Sequence, residues 1–353
     1  MKKSFEEVFI DKTRYGTKIK TDEYCKSGKH IIVDQSQNAI AGFTDLDSGL
    51  FTDVPAIIFG DHTRVIKYVD EPFFLGADGT KILRSNICNA NYKYLYYALK
   101  NARIPNTGYN RHFKWLKEIE IQYPDEKTQN NIASLLDKVL YVINLRKDEL
   151  QKLDDLIRAR FIELFGDPLI EDDRYPRVPL GSLAEVGLSK RIFEKEYVSE
   201  GIPFYRTKEI VELSKGNRIT TELFITKERY DEIRSEYGVP QKGDLLISAV
   251  GTIGVIWIVD GKNDFYFKDG NLLRVSATEK FVPEYLKHLL EALISAYKSE
   301  MSSGTAYAAL TISALKEMMV YDVPHAEQEQ FAAFVEQIDK SKSHAPHLPI
   351  PPL

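Results

Sequence analysis

Leu116-Lys117-Glu118 returns 199 positions later as Leu315-Lys316-Glu317, and the register holds beyond it. Gln129, Ile132, Leu135, Leu136 and Val139 meet Gln328, Phe331, Phe334, Val335 and Ile338 at the same shift. Pro124 finds its counterpart one position off, at Pro324. Upstream the matches continue in order at smaller shifts: Glu23-Tyr24 and Gly28 with Glu196-Tyr197 and Gly201, then Asp78-Gly79 with Asp269-Gly270. A shift that grows along the chain means insertions in the second copy, expected around Val211–Glu236. Five apolar or amide positions in one register, flanked by ordered upstream matches, are a poor product of chance. The 353 residues therefore hold two related domains rather than one large one.

Each copy reads alike. Short β-type runs come first: Lys29–Val33 and Ala56–Phe59 in one, Asp244–Ser248 and Val255–Val259 in the other. A helix follows, over Tyr92–Lys100 and Glu284–Tyr297. Then come a Gly-containing loop, a short apolar strand, a proline and a second helix. Proline suits that boundary because its missing N–H costs nothing at a helix start.

In the first copy this second helix is long. Gln129 to Phe165 contains neither Gly nor Pro, and Gly166-Asp167-Pro168 ends it. At about 1.5 Å per residue the run spans roughly 55 Å. Ile132, Leu136, Val139, Ile143, Leu150, Leu153, Ile157 and Leu164 follow a 4-3 spacing broken by Arg146 and Arg160, the mark of a coiled-coil seam. A helix lying on one globular core rarely needs such length. The second copy keeps the register from about Ala326 through Ile338, then turns polar and proline-rich, which limits its seam to roughly 24 Å. About half the long seam is thus expected to lack a partner, leaving Leu150, Leu153, Ile157, Phe161 and Leu164 as an exposed apolar stripe for docking another subunit.

Composition narrows the class. No run approaches the ~20 apolar residues of a membrane span, and no leader-like apolar stretch follows Met1. Cys25 and Cys88 have no ligand-like spacing, so neither a disulfide framework nor a zinc module is indicated, and a reducing cytoplasm is expected. The net charge is −5, but residues 123–173 alone hold 7 basic and 12 acidic residues, a deficit of the same size. The segments on either side are near neutral and can each carry a local basic face.

Catalytic constellations are missing from the pattern. Pro124-Asp125-Glu126-Lys127 spells the letters of a metal-dependent nuclease. Such enzymes converge carboxylates and a lysine from separate strands, whereas these residues are contiguous at a helix start, where acidic side chains suit the helix dipole. No phosphate-binding G-x-x-x-x-G-K-[ST] loop occurs, and Gly251-Thr252-Ile253-Gly254 reads as a turn between strands. No methyltransferase N/D-P-P-Y/F signature appears. The seven histidines form no ligand pair; His112 and His288 read as surface or partly buried polar residues.

The order head, proline-led segment with a glutamine, apolar helix, then head and helix again resembles the specificity subunit of type I restriction–modification enzymes. Pro124–Asp137 with the long helix to Gly166, and Pro324–Asp339, carry the resemblance, which covers residues 1–342. It implies an α+β fold: two tandem α/β target recognition domains, 1–123 and 167–322, joined by long coiled-coil-type helices, 124–166 and a shortened 323–342, with a Pro-rich tail at 343–353. It further implies double-stranded DNA as ligand and a non-catalytic role, each head reading half of a bipartite site. Two modification (methyltransferase) subunits would dock on the helices, and a restriction nuclease/translocase subunit would complete the enzyme. S-adenosylmethionine and ATP would then sit on those partners, with no cofactor on this chain. The chain departs from the family at its C-terminal helix, which should run about as far as the first. A coiled-coil adaptor with protein-binding heads and a DNA enzyme with an unrecognised site stay open as other classes.

DNA recognition uses Arg and Lys on phosphates, and Arg, Asn, Gln, Ser or Thr on base edges. The Gly-centred loop around Gly108 offers Thr107, Tyr109, Asn110 and Arg111, followed by Lys114; the matching loop around Gly304 offers Thr305 and Tyr307. Lys12, Arg14, Lys18 and Lys20 in the first copy, and Lys190, Arg191, Arg206 and Lys208 in the second, are phosphate-contact candidates. A solvated surface charge is the ordinary fate of any one of them.

Overall fold

The computed structural model describes residues 1–76, 78–108, 110–170, 173–268, 270–276, 279–301 and 309–343. The chain divides into two compact units, Met1–Arg146 and Lys147–Leu353.

The first unit runs β1 (Lys2–Ser4), α1 (Phe5–Val8), β2 (Phe9–Asp11), β3 (His30–Val33), β4 (Gly42–Thr44), β5 (Ala56–Gly60), β6 (Ile66–Val69), β7 (Phe73–Leu75), β8 (Thr80–Ser85), α2 (Tyr92–Lys100), α3 (Phe113–Leu116), β9 (Glu120–Gln122) and the start of α4 (Glu126–Phe165). It holds a four-stranded sheet ordered β2-β8-β5-β6, a three-stranded sheet β4-β3-β7 and a ribbon β1-β9. Every residue of β5 is buried, and the two-residue period of a strand explains how. Ile57 and Phe59 face the cluster holding Tyr94, Leu95 and Leu99 of α2, while Ala56 and Ile58 face the one holding Val33, Phe73 and Leu75. A sheet covered on both faces needs this continuous apolar run.

The second unit continues from α4 through β10 (Arg177–Pro179), β11 (Val186–Gly187), β12 (Ile202–Tyr205), α5 (Thr207–Ser214), β13 (Phe224–Ile225), α6 (Lys227–Glu236), β14 (Leu245–Ser248), β15 (Ile256–Ile258), β16 (Tyr266–Phe267), β17 (Leu272–Val275), α7 (Pro283–Met301), α8 (Ile312–Glu317), β18 (Met319–Tyr321) and α9 (His325–Ser343). The sheets repeat strand for strand: β11-β17-β14-β15, β13-β12-β16 and β10-β18. In each three-stranded sheet the middle strand pairs antiparallel with one neighbour and parallel with the other. The insertion is α5 and α6, on either side of β13, the counterpart of β4; their Ile210, Tyr230 and Ile233 close a second apolar cluster against Leu246 and Trp257.

α4 is 40 residues long, about 60 Å at the usual rise. Asp125 starts it, its carboxylate accepting from the Thr128 N–H at 3.0 Å and the Thr128 hydroxyl at 2.8 Å. Those bonds hold the Asp125 carboxyl below its usual range, so the nuclease-like letters serve as a helix cap. Gly166 ends α4 at φ +89°, a left-handed conformation that favours glycine.

Within the second unit α4 and α9 run antiparallel. Phe161 and Phe165 lie 5.3 and 5.8 Å from Phe331, ring to ring, near the start of α9, and Asp154 meets Lys342 near its end. Tyr285 of α7 packs on the same pair at 5.6 and 4.9 Å. The expected stripe is therefore corrected. Ile157 and Phe161 are 2% and 4% exposed, Leu164 packs on the same core, and Leu150 and Leu153 are half-buried. Burying residues of this size contributes roughly 1.5–3 kcal/mol each, so they close the core. Exposed apolar residues of α4 are chiefly those of the first unit, Leu135, Val139, Tyr141, Val142 and Leu145, at 44–64%, with Leu156 and Ile162 of the second unit at 46% and 45%. Because α9 starts beside the end of α4, its short seam covers the C-terminal part of the long one.

Candidate DNA interface

Four connections of the first unit meet at one end of its sheets: β3–β4, β5–β6, β7–β8 and α2–α3. Gln35 ties three of them. Its amide oxygen accepts from the His62 N–H at 3.1 Å, its amide nitrogen donates to the Asp78 carbonyl at 2.8 Å, and its own carbonyl accepts from the Thr63 hydroxyl at 2.7 Å. Lys67, 8% exposed, reaches under the β3–β4 connection to Asp34 at 3.6 Å and to the Asn38 carbonyl. Burial pushes its ammonium pKa down against the pull of Asp34.

The fourth connection, Asn101–His112, carries the loop singled out from sequence. Gly108 adopts φ +77° with open space around it, the Gly108 N–H donates to the Asn106 side chain at 3.2 Å, and the Asn110 amide donates to the Thr107 carbonyl. Thr107, Asn110, Arg111 and Lys114 are all exposed. Lys18 pairs with Asp78 at 2.6 Å, and Lys18 first, with a smaller pull from Arg111, holds the Asp78 carboxyl below its usual range. An ion pair this exposed adds little stability; its effect is to gather two cations beside one loop. Lys12 and Arg14 form a second group at the Tyr15 ring, 5.1 and 4.7 Å from its centroid. Lys20 is exposed, and its N–H donates to Glu23 at 3.0 Å.

In the second unit the Lys190 ammonium donates to the Tyr237 hydroxyl at 3.1 Å and lies 4.5 Å from its ring, and Arg191 stands 5.6 Å from the Phe193 ring. Arg206 is spent locally: Glu209, 2% exposed, accepts from its N–H at 2.9 Å and its guanidinium at 3.2 Å. Lys208 is exposed. Tyr109, Thr305 and Tyr307 lie outside the described residues. Among the described residues no group of three His, Cys, Asp or Glu side chains could hold a metal ion, and no helix is long and apolar enough to cross a membrane.

Residues 2–155 and 174–347 match the pattern of the type I restriction modification DNA specificity domain, once for each copy of the repeat. The chain belongs to that family. A curated relative from Haemophilus influenzae bearing the name of a type I restriction enzyme specificity subunit is 28% identical over 260 residues, 70% of this chain; the chain spans 64% of that relative's length. The crystal structure of a type I restriction-modification S subunit from M. genitalium superposes with a TM-score of 0.56 at 19% identity, covering 97% of this chain and 90% of that one. A chain from a structural study of complex assembly and conformational transition in the type I R-M system gives 0.50 at 16% identity, with the same coverage. At these identities the structures speak for the fold: an α+β specificity-subunit fold with two tandem domains and coiled-coil-type helices.

The residues that hold these loops gave no signal in the sequence. Gln35, Asp61 and Asp78 drew no attention as loop braces, although Asp78-Gly79 stood in the repeat. His112 is corrected outright: it is 0% exposed, because both ring nitrogens bond protein groups, the Asp61 carbonyl and Thr107, rather than solvent. A lone histidine beside a polar loop gives no sign of which way it turns.

Proposed function

We propose that the chain is the DNA-reading specificity subunit of a type I restriction–modification enzyme. Its first recognition domain is residues 1–123 and its second 167–322, each reading one half of a bipartite double-stranded site. Lys18, Arg111, Asn110 and Lys114 serve the first half, with Lys12 and Arg14 on phosphates; Lys190, Arg191 and Lys208 serve the second. The helices at 124–166 and 323–342 dock two methyltransferase subunits, which bring S-adenosylmethionine, and an ATP-driven nuclease/translocase subunit completes the enzyme. This chain positions those activities and performs none itself.

One observation carries the reading: the same strand order is built twice, and each copy leads through a short strand and a proline into a helix. Two like readers suit a divided target. The loops that differ between the copies supply the difference in sequence read. The test is co-expression with candidate methyltransferase subunits, followed by mapping of methylated sites. Exchange of residues 1–122 for the first head of another family member should change one half of the methylated motif and leave the other intact. A change in both halves, or none, refutes modular reading.

A further inference from the structure

We propose that the buried pair Asp61 and His112 is the positioning element of the first unit's recognition loop, setting half-site specificity without touching DNA. The proposal rests on the function proposed above. Asp61 and His112 are 3% and 0% exposed. His112 Nδ1 lies 3.0 Å from the Asp61 carbonyl, and Nε2 lies 3.4 Å from Thr107 N and 3.3 Å from the Thr107 hydroxyl. A carbonyl only accepts and a backbone N–H only donates, so the ring is fixed as the neutral Nδ1–H tautomer, donating to Asp61 and accepting from Thr107. The Asp61 carboxylate in turn accepts from the Phe113 N–H at 2.7 Å. Arg64, at the end of the neighbouring turn, donates to the Ile104 carbonyl at 3.2 Å. The loop is thus stapled at Ile104 and Thr107, with Asn110 and Arg111 carried between Thr107 and His112.

The second copy shows what these side chains add. There Ala249 donates its N–H to the Asn271 carbonyl at 2.9 Å and accepts from Leu310 N at 2.9 Å. Asp61 makes the same two main-chain bonds, to the Gly79 carbonyl at 2.6 Å and from His112 N at 2.8 Å. Ala249 and Leu310, both buried, build the same corner without a polar side chain. The fold does not require the imidazole. What the imidazole supplies is a bond outward to an exposed loop, at the cost of burying polar groups that must all be paired. Such a bond fixes the loop before DNA arrives, and preorganisation of this kind sharpens discrimination.

Two substitutions divide the ring's work. His112→Asn keeps a donor for the Asp61 carbonyl and loses the acceptor for Thr107; His112→Gln can keep the acceptor. Thr107→Pro removes the same N–H from the loop side without disturbing the core. In the full-length chain co-expressed with methyltransferase subunits, the wild type should methylate a bipartite motif; without one, the proposed function itself fails. With one, His112→Asn and Thr107→Pro should relax discrimination in a single half of the motif by roughly tenfold. The other half, read by the second unit in the same complex, should stay intact and attests assembly. His112→Gln should retain more of the lost half. An unchanged motif in both His112→Asn and Thr107→Pro, equal relaxation of both halves, or equal loss in His112→Gln and His112→Asn would overturn the positioning role.

Discussion

Lys342 and Asp154 stand 2.8 Å apart where the seam between α9 and α4 reaches its end, and Asp339 holds the same ammonium at 2.9 Å. Burial opposes the charge, yet the two carboxylates raise the Lys342 pKa above its ordinary value. A raised lysine pKa stabilises fully below the unfolded value and is lost as pH rises through the folded one. Lys342→Met should therefore cost little at neutral pH, about 1 kcal/mol or less. It should also remove part of the stability lost in strong alkali, as followed by chemical denaturation at pH 8 and pH 11.

Phe331 presents the opposite balance, since its whole ring is buried among Phe161, Phe165 and His288. Phe331→Ala should destabilise the second unit by about 3–5 kcal/mol. Calorimetry should show a large fall in one transition, while that of the first unit stays in place.

Tyr175 donates its hydroxyl to Glu327, and Tyr230 donates to Asp264 at 3.3 Å. Burial first, and the neighbouring carboxylate second, push each phenol up to about 12. The folded state then holds these protons more tightly than the unfolded chain, whose tyrosines titrate near ~10. The contribution of these two phenols to the stability of the second unit should be flat below that pH and fall between about 10 and 12. Tyr175→Phe with Tyr230→Phe should flatten the decline. An equally steep fall in the double variant would remove these phenols from the account.

Leu135 and Val142 on the exposed α4 face of the first unit make the docking proposal testable. Leu135→Asp with Val142→Asp should abolish co-purification with methyltransferase subunits while leaving the melting of the isolated chain within a few tenths of a kcal/mol, as surface changes do. Retained assembly would move the docking surface elsewhere.

Arg111 can hold a base edge or a phosphate, and the two give different signatures. Base contact predicts that Arg111→Ala costs about 1–3 kcal/mol and relaxes one position. Phosphate contact predicts evenly weaker binding and a salt slope lower by about one unit. Titration of specific and scrambled duplexes at several salt concentrations separates them, and no effect of either kind returns Arg111 to ordinary surface.

The repeat was legible because apolar periodicity and main-chain punctuation survive divergence. Gln129, Gln328 and the two prolines mark the helix starts, and α2 runs from Tyr92 to Lys100 as its pattern implies. Partnering was not legible. Periodicity puts Ile157 and Val139 on one seam and cannot say which end of α4 the short α9 covers; packing against Tyr285 and Phe331 decides that. The loop braces escaped for a related reason. Asp61 and His112 are 51 positions apart in the chain, and nothing in either residue's neighbourhood announces the other.

Gln328, fully buried at the start of α9, donates to the carbonyls of Lys280 and Val323 at 3.0 and 2.8 Å and accepts from Val282 N at 2.9 Å. Sliding α9 by one turn along α4 would strip all three main-chain groups of their partner, at about 1–3 kcal/mol for each group left buried. The helix is consequently a latch with a single click. It can sit in this register or come undone from its first turn, and repairing the seam after any change in α4 must proceed by local unfolding and redocking rather than by slippage.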